Sequence, residues 1–181
     1  MKKFLLCIFA ILSITLCVCA GCSGRIPEKP ADTSLEFWIA EDVSSVDFSD
    51  YYARAGVFGA YEYYGKGYSP AEILEGNLDI LPQHYVLYTV GGYPDTSDDW
   101  NYITRIQITD PEVQVYGMTC DTRLDEFDKT MQKLGYKISE NSAGTLHTAT
   151  MGKVSLSLFS NGEQNSMSIS VKVTNRRGIH Y

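Results

Sequence analysis

Beyond residue 22 the chain has a single cysteine, Cys120; the other four, Cys7, Cys17, Cys19 and Cys22, crowd its N-terminal end. A disulfide within residues 23–181 is therefore excluded, and whatever folds there holds itself together by packing. Histidine is almost as scarce. His84, His147 and His180 stand far apart along the chain, with no pair at the close spacing that seats a metal ion. Positive charge is short too: 15 Lys and Arg face 22 Asp and Glu, a formal charge of −7. Such a surface repels phosphate backbones, which argues against a nucleic-acid partner. Long apolar runs are absent apart from Phe4 to Ala20, a stretch near the lower limit for a membrane span. No catalytic or cofactor motif stands out, so no cofactor is expected.

That one apolar run follows Lys2 and Lys3 and closes on Cys19-Ala20-Gly21-Cys22. A basic start, an apolar centre and small residues before a cysteine are the parts of a secretory signal. Together they resemble the processing site of bacterial lipoproteins, with Cys19 standing where that family has leucine. The resemblance implies cleavage before Cys22, diacylation of its sulfur, and a place on the extracytoplasmic face of the cell membrane or outer membrane. Two acyl chains hold firmly, because each buried methylene contributes about 0.8 kcal/mol. Residues 1–21 are then the signal peptide, and residues 22–34, polar with Pro27 and Pro30, are the lipidated cysteine and its tether. Fully extended, such a tether reaches about 40 Å from the bilayer. Removing residues 1–21 takes away two lysines and no acid, which leaves 13 basic against 22 acidic side chains, a net −9. The remainder, residues 35–181, suffices either for one domain or for two small modules, 35–110 and 111–181.

β-branched and aromatic runs between turn residues predict strands over 36–40, 57–64, 84–90, 102–109, 114–118, 146–151, 153–160 and 167–174. The last of these alternates, with Met167, Ile169, Val171 and Val173 on one side and Ser168, Ser170, Lys172 and Thr174 on the other. That is the pattern of an antiparallel strand buried on one face. Asn161-Gly162 marks a hairpin before it, with a loop longer than the tightest kind. Leu124, Phe127, Met131 and Leu134 recur at spacings of three, four and three, which predicts a helix over 124–134. Asp121 or Thr122 would cap its start and Gly135 would end it. A shorter helix is predicted over 70–75, with Ser69 before Pro70 and Gly76 after.

Sliding the chain along itself until Phe48 falls on Phe127 also brings Tyr52 onto Met131, Ala55 onto Leu134 and Gly56 onto Gly135. This predicts a further helix over 47–55 and, on the duplication reading, two tandem β-α-β-β-β modules. The fold class expected is α+β, mainly antiparallel β-sheet with one or two packed helices. A helix ending in Leu134-Gly135 and followed by antiparallel strands resembles the tandem modules of β-lactamase-inhibitory proteins and related outer-membrane assembly lipoproteins. The resemblance implies a non-catalytic binding module and transfers no contact residue to this chain.

Aromatic residues are the one enrichment. Tyr51, Tyr52, Phe58, Tyr61, Tyr63, Tyr64 and Tyr68 follow one another closely, with Phe37, Trp38 and Phe48 just upstream. Exposed rings can stack on sugars or anchor a protein at small entropic cost. The ligand-binding candidates are accordingly Trp38, Tyr61, Tyr63 and Tyr64, and the competing reading buries the same rings in a core. Cys120 reads as a packing residue, no catalytic or metal-binding residue is assigned, and the acidic loop 93–100 reads as a solvated turn. The expected function is that of a lipid-anchored binding or assembly module for an envelope protein or wall glycan. A small envelope hydrolase using Glu62, Asp95 or Cys120 is the alternative.

Overall fold

A computed structural model describes residues 26–55, 60–65, 84–91 and 102–171. Eight strands run through them: β1 (Tyr52–Ala55), β2 (Tyr61–Tyr64), β3 (Val86–Val90), β4 (Ile103–Ile108), β5 (Lys137–Glu140), β6 (Leu146–Met151), β7 (Val154–Ser160) and β8 (Asn165–Val171). One α-helix, α1 (Leu124–Lys133), lies between β4 and β5. All eight strands share one sheet in the order β1-β2-β3-β4-β8-β7-β6-β5, and every pairing is antiparallel. Two meanders thus meet where β4 pairs with β8, and the ladder is continuous from residues 52–108 into residues 137–171. The architecture is α+β with mainly antiparallel sheet. Among the described residues no helix is long and apolar enough to cross a membrane.

Alternation decides which side is core. One cross-strand row, Ile138-Ala149-Leu156-Ile169-Ile106-Tyr88-Tyr63-Ala53, crosses the whole sheet on one face. Leu156, Ile169 and Ile106 are fully buried in it, each worth about 1.5–3 kcal/mol of transfer free energy. Phe127 and Met131 of α1 cover this face over β5 to β7, and Leu35, Phe37, Trp38 and Ile39 belong to the same core. The other face carries the intervening residues: Ser155 and Ser157 of β7, Ser166, Ser168 and Ser170 of β8, Arg105 and Gln107 of β4.

The turns follow from their residues. Met151 pairs with Val154 across Gly152-Lys153, with Gly152 at φ +60°, the place a tight type II′ hairpin gives glycine. Between β7 and β8 a longer loop, residues 161–164, intervenes, and the Asn161 side chain accepts from the backbone N–H of Glu163 and Gln164 at 2.9 and 2.8 Å. Helix α1 stops in a Schellman arrangement. The Tyr136 N–H reaches the Met131 carbonyl and the Gly135 N–H the Gln132 carbonyl, both at 3.0 Å, with Gly135 at φ +87°.

Four expectations need correction. The predicted helix 47–55 is instead a turn running into β1: the Asp47 carboxylate accepts from Ser49 N–H, and Tyr52–Ala55 pair with β2. Side-chain turn bonds compete with a helix so short that it is marginal from the start. The segments around Phe48 and Phe127 that the internal match superposes therefore differ, a turn and strand against a helix. Residues 36–40 form bends, not a strand; Phe37, Trp38 and Ile39 are all buried in succession, which no one-face-buried strand allows. Residues 114–118 close a tight turn, Val115 bridging to Met118 around Tyr116 and Gly117 at φ +55° and +71°. Finally, neither Asp121 nor Thr122 caps α1. Arg123 is the N-cap and makes no side-chain capping bond, while the Thr122 hydroxyl accepts from Thr119 N–H and the Asp121 carboxylate from the Asn165 amide. The predicted helix 70–75 lies outside the described residues.

Candidate functional site

The aromatic half packs inward. Trp38 is 3 % exposed, and its indole N–H donates to the Pro27 carbonyl at 2.9 Å. Tyr63 is stacked on Phe48, which also meets Phe37, Tyr51 and Tyr88, so these rings form a box on the core face of β2 and β3. Tyr61 points to the same side at its rim and is 55 % exposed. Tyr64 takes its place in the ladder between Tyr52 and Leu87. Of the aromatic candidates, Trp38 is thus enclosed and Tyr63 packed, while Tyr61 stands exposed at the rim.

A hollow of about 240 Å³ opens beside that box, lined by Glu36, Tyr51, His84, Tyr88 and Asp110 among others. Its polar groups are largely committed. The Tyr51 hydroxyl donates to the Glu36 carboxylate at 2.7 Å, and Asp110 accepts from Glu112 N–H. Burial pushes the Tyr88 phenol up to about 12 despite N–H groups of Phe37 and Glu36; burial and the Glu36 bond raise Tyr51 as well. Both phenols stay protonated at neutral pH, the Tyr51 hydroxyl donating to Glu36 and the Tyr88 oxygen facing the N–H groups of Phe37 and Glu36.

The remaining candidate groups are structural in placement. Cys120 is 2 % exposed, and burial, followed by the neighbouring Asp121, pushes its thiol up to about 11. A nucleophilic thiol needs the opposite shift. The His147 ring nitrogen Nδ1 lies 2.9 Å from Asp128 of α1, and Nε2 lies 3.5 Å from Glu140 of β5, a clasp between helix and sheet edge. Nδ1 of His84 meets the Thr109 carbonyl at 3.2 Å. Glu62 sits on β2 opposite Arg54 and Thr89. Among the described residues no group of three His, Cys, Asp or Glu could hold a metal ion. Asp95, His180 and the loop 93–100 lie outside them.

The surface with a different character is the outer face of β4 to β8. None of its side chains is buried. Two rows cross it: Ser139-Thr148-Ser157-Ser168-Gln107, and Lys137-Thr150-Ser155-Ser170-Arg105. Every outward position on these five strands is a hydroxyl, an amide, a cation or an apolar side chain; no carboxylate occurs there, in a chain with 22 of them. At the meeting of β4, β8 and β7 the face dips into a depression of about 290 Å³ lined by Arg105, Gln107, Ser157, Phe159, Ser166 and Ser168. The Gln107 amide donates to the Tyr85 hydroxyl at 3.1 Å, and Ser157 and Thr148 share a hydrogen bond at 3.0 Å. No carboxylate lies within ion-pair reach of Arg105 among the described residues. These residues were not among the sequence candidates. The signal for them is the serine alternation in Val154-Ser-Leu-Ser-Leu158 and Ser166-Met-Ser-Ile-Ser170, and only register brings the two runs side by side.

Among the described residues, fold and surface together define an α+β architecture with an amphipathic helix over an antiparallel sheet and an open, hydroxyl-lined face behind it. No protein-family model, curated protein or solved structure matches the chain.

Proposed function

We propose that this protein is a lipid-anchored, extracytoplasmic binding module, held at the membrane through Cys22 and presenting the outer face of β4 to β8 to another component of the envelope, a protein or a wall glycan. The open, carboxylate-free sheet face carries this reading. Its hydroxyls and amides stand on strands whose register is fixed by the buried side, so a partner meets polar groups already held in place and spends little ordering them. The buried thiol and the committed phenols supply no activated nucleophile or base, so binding is favoured over hydrolysis. The lipoprotein-like signal supports the location, and the acidic composition supports attachment by acyl chains instead of by charge.

The test places a photo-crosslinking residue at Ser168 in the full-length protein in its native envelope, with Lys129 on the exposed side of α1 as the control position. A discrete adduct from position 168 that is absent from position 129 is expected. Identical patterns from both positions, or none from either, would contradict the reading.

A further inference from the structure

We infer that the depression around Arg105 binds an acidic polysaccharide, its guanidinium taking a sugar carboxylate while the serine rows take ring hydroxyls. This rests on the binding-module reading above and names the ligand of that face. Charge is the first ground. The chain is strongly acidic, yet from β5 to β4 one outward row runs from Lys137 to Arg105 with no acid between them, and the first acid along it, Glu62, stands two strands beyond Arg105. An acid-free strip within an acidic protein admits an anion that the rest of the surface repels.

The lining chemistry is the second. Ser157, Ser166 and Ser168 each offer a hydroxyl that both donates and accepts, and the Gln107 amide, held by Tyr85, keeps its carbonyl oxygen as an acceptor. A polyol is matched by groups of both kinds. Phe159, with Leu146 beside it, supplies the apolar patch on which the C–H face of a pyranose rests. Neighbouring strands space the side chains within each row about 4.8 Å apart, so the pattern repeats along a chain-like ligand.

The ladder is the third ground, and it separates a glycan from an acidic peptide. An extended peptide gains most from main-chain bonds to a sheet edge. Strands β4, β8, β7 and β6 are all interior, with neighbours on both sides, so this face offers side chains alone.

The experiment uses the full-length protein in detergent micelles and titrates oligogalacturonate, a neutral malto-oligosaccharide of equal length, and polyglutamate. Binding of oligogalacturonate that weakens with salt is expected, with at least about tenfold loss of affinity in Arg105→Gln, the loss of one charge-assisted contact. Ser168→Asp, which sets a carboxylate into the depression, should weaken it at least as much. Both substitutions are on the surface, and circular dichroism confirms the fold. Failure of oligogalacturonate to bind, equal affinity for polyglutamate or the neutral sugar, or unchanged affinity in both variants overturns the inference. If position 168 crosslinks a protein while oligogalacturonate does not bind, the inference falls and the binding-module reading stands; if position 168 crosslinks nothing, that reading falls as well.

Discussion

Tyr63 lies flat on Phe48, the ring centroids 4.1 Å apart and the planes 16° from parallel. The stack ties the turn before β1 to the core face of β2, and it explains why a tyrosine-rich segment is a stabilising cluster here and not a platform. Phe48→Ala should destabilise by about 3 kcal/mol, the usual cost of removing a packed aromatic ring. Tyr61→Ala, at the exposed rim, should stay within about 0.5 kcal/mol of the parent. Urea unfolding of the two variants separates them, and equal losses would show that the rim ring is packed as tightly as the stack.

Gly135 ends α1 at φ +87°, with open space where a Cβ would lie. The strain of Gly135→Ala is therefore conformational and not steric. It should cost about 1 kcal/mol, because only the left-handed backbone is penalised. A melting temperature lowered by a few degrees is the expected reading; a rise would mean that helix propensity outweighs the Schellman turn.

The Cys120 thiol, raised by burial from 9.0 to about 11, makes stability depend on pH in one direction. Between these values the unfolded chain has lost the thiol proton and the folded chain has kept it. The stabilisation is complete below the unfolded value of 9.0 and is lost as pH climbs through about 11. Tyr88, also raised by burial, adds to the same trend, so the comparison needs a variant. Denaturation midpoints of the parent should fall more steeply than those of Cys120→Ala as pH rises across this window. Parallel curves would place the thiol in contact with solvent, as would rapid alkylation by iodoacetamide at neutral pH.

How far the sequence announces this structure depends on the range of the interactions involved. Strands β3, β4, β6 and β7 and helix α1 agree closely with their predicted spans, because each carries a local signal of its own: the spacing of Leu124, Phe127 and Met131 for the helix, the alternation of Val154, Leu156 and Leu158 for β7, and β-branched or aromatic runs for the others. The stretch 36–40 misleads since its apolar run is buried on all sides by the fold, and 47–55 misleads since helical spacing at Phe48, Tyr52 and Ala55 coexists with Asp47, whose side chain prefers a turn. The outer face is legible only in part. Ser168 and Ser170 are visible as the polar side of one strand, but their alignment with Ser155, Ser157, Arg105 and Gln107 comes from long-range pairing of β8 with β7 and β4. No local pattern encodes it.

Membrane attachment through Cys22 is the claim on which the rest of the functional reading stands, and fractionation of cells expressing Cys22→Ala tests it most directly. The parent should sediment with membranes and incorporate labelled palmitate. The variant should take up no label and appear in the soluble extracytoplasmic fraction. A variant that stays membrane-bound would contradict the lipid anchor and with it the placement of the serine-lined sheet face in the cell envelope.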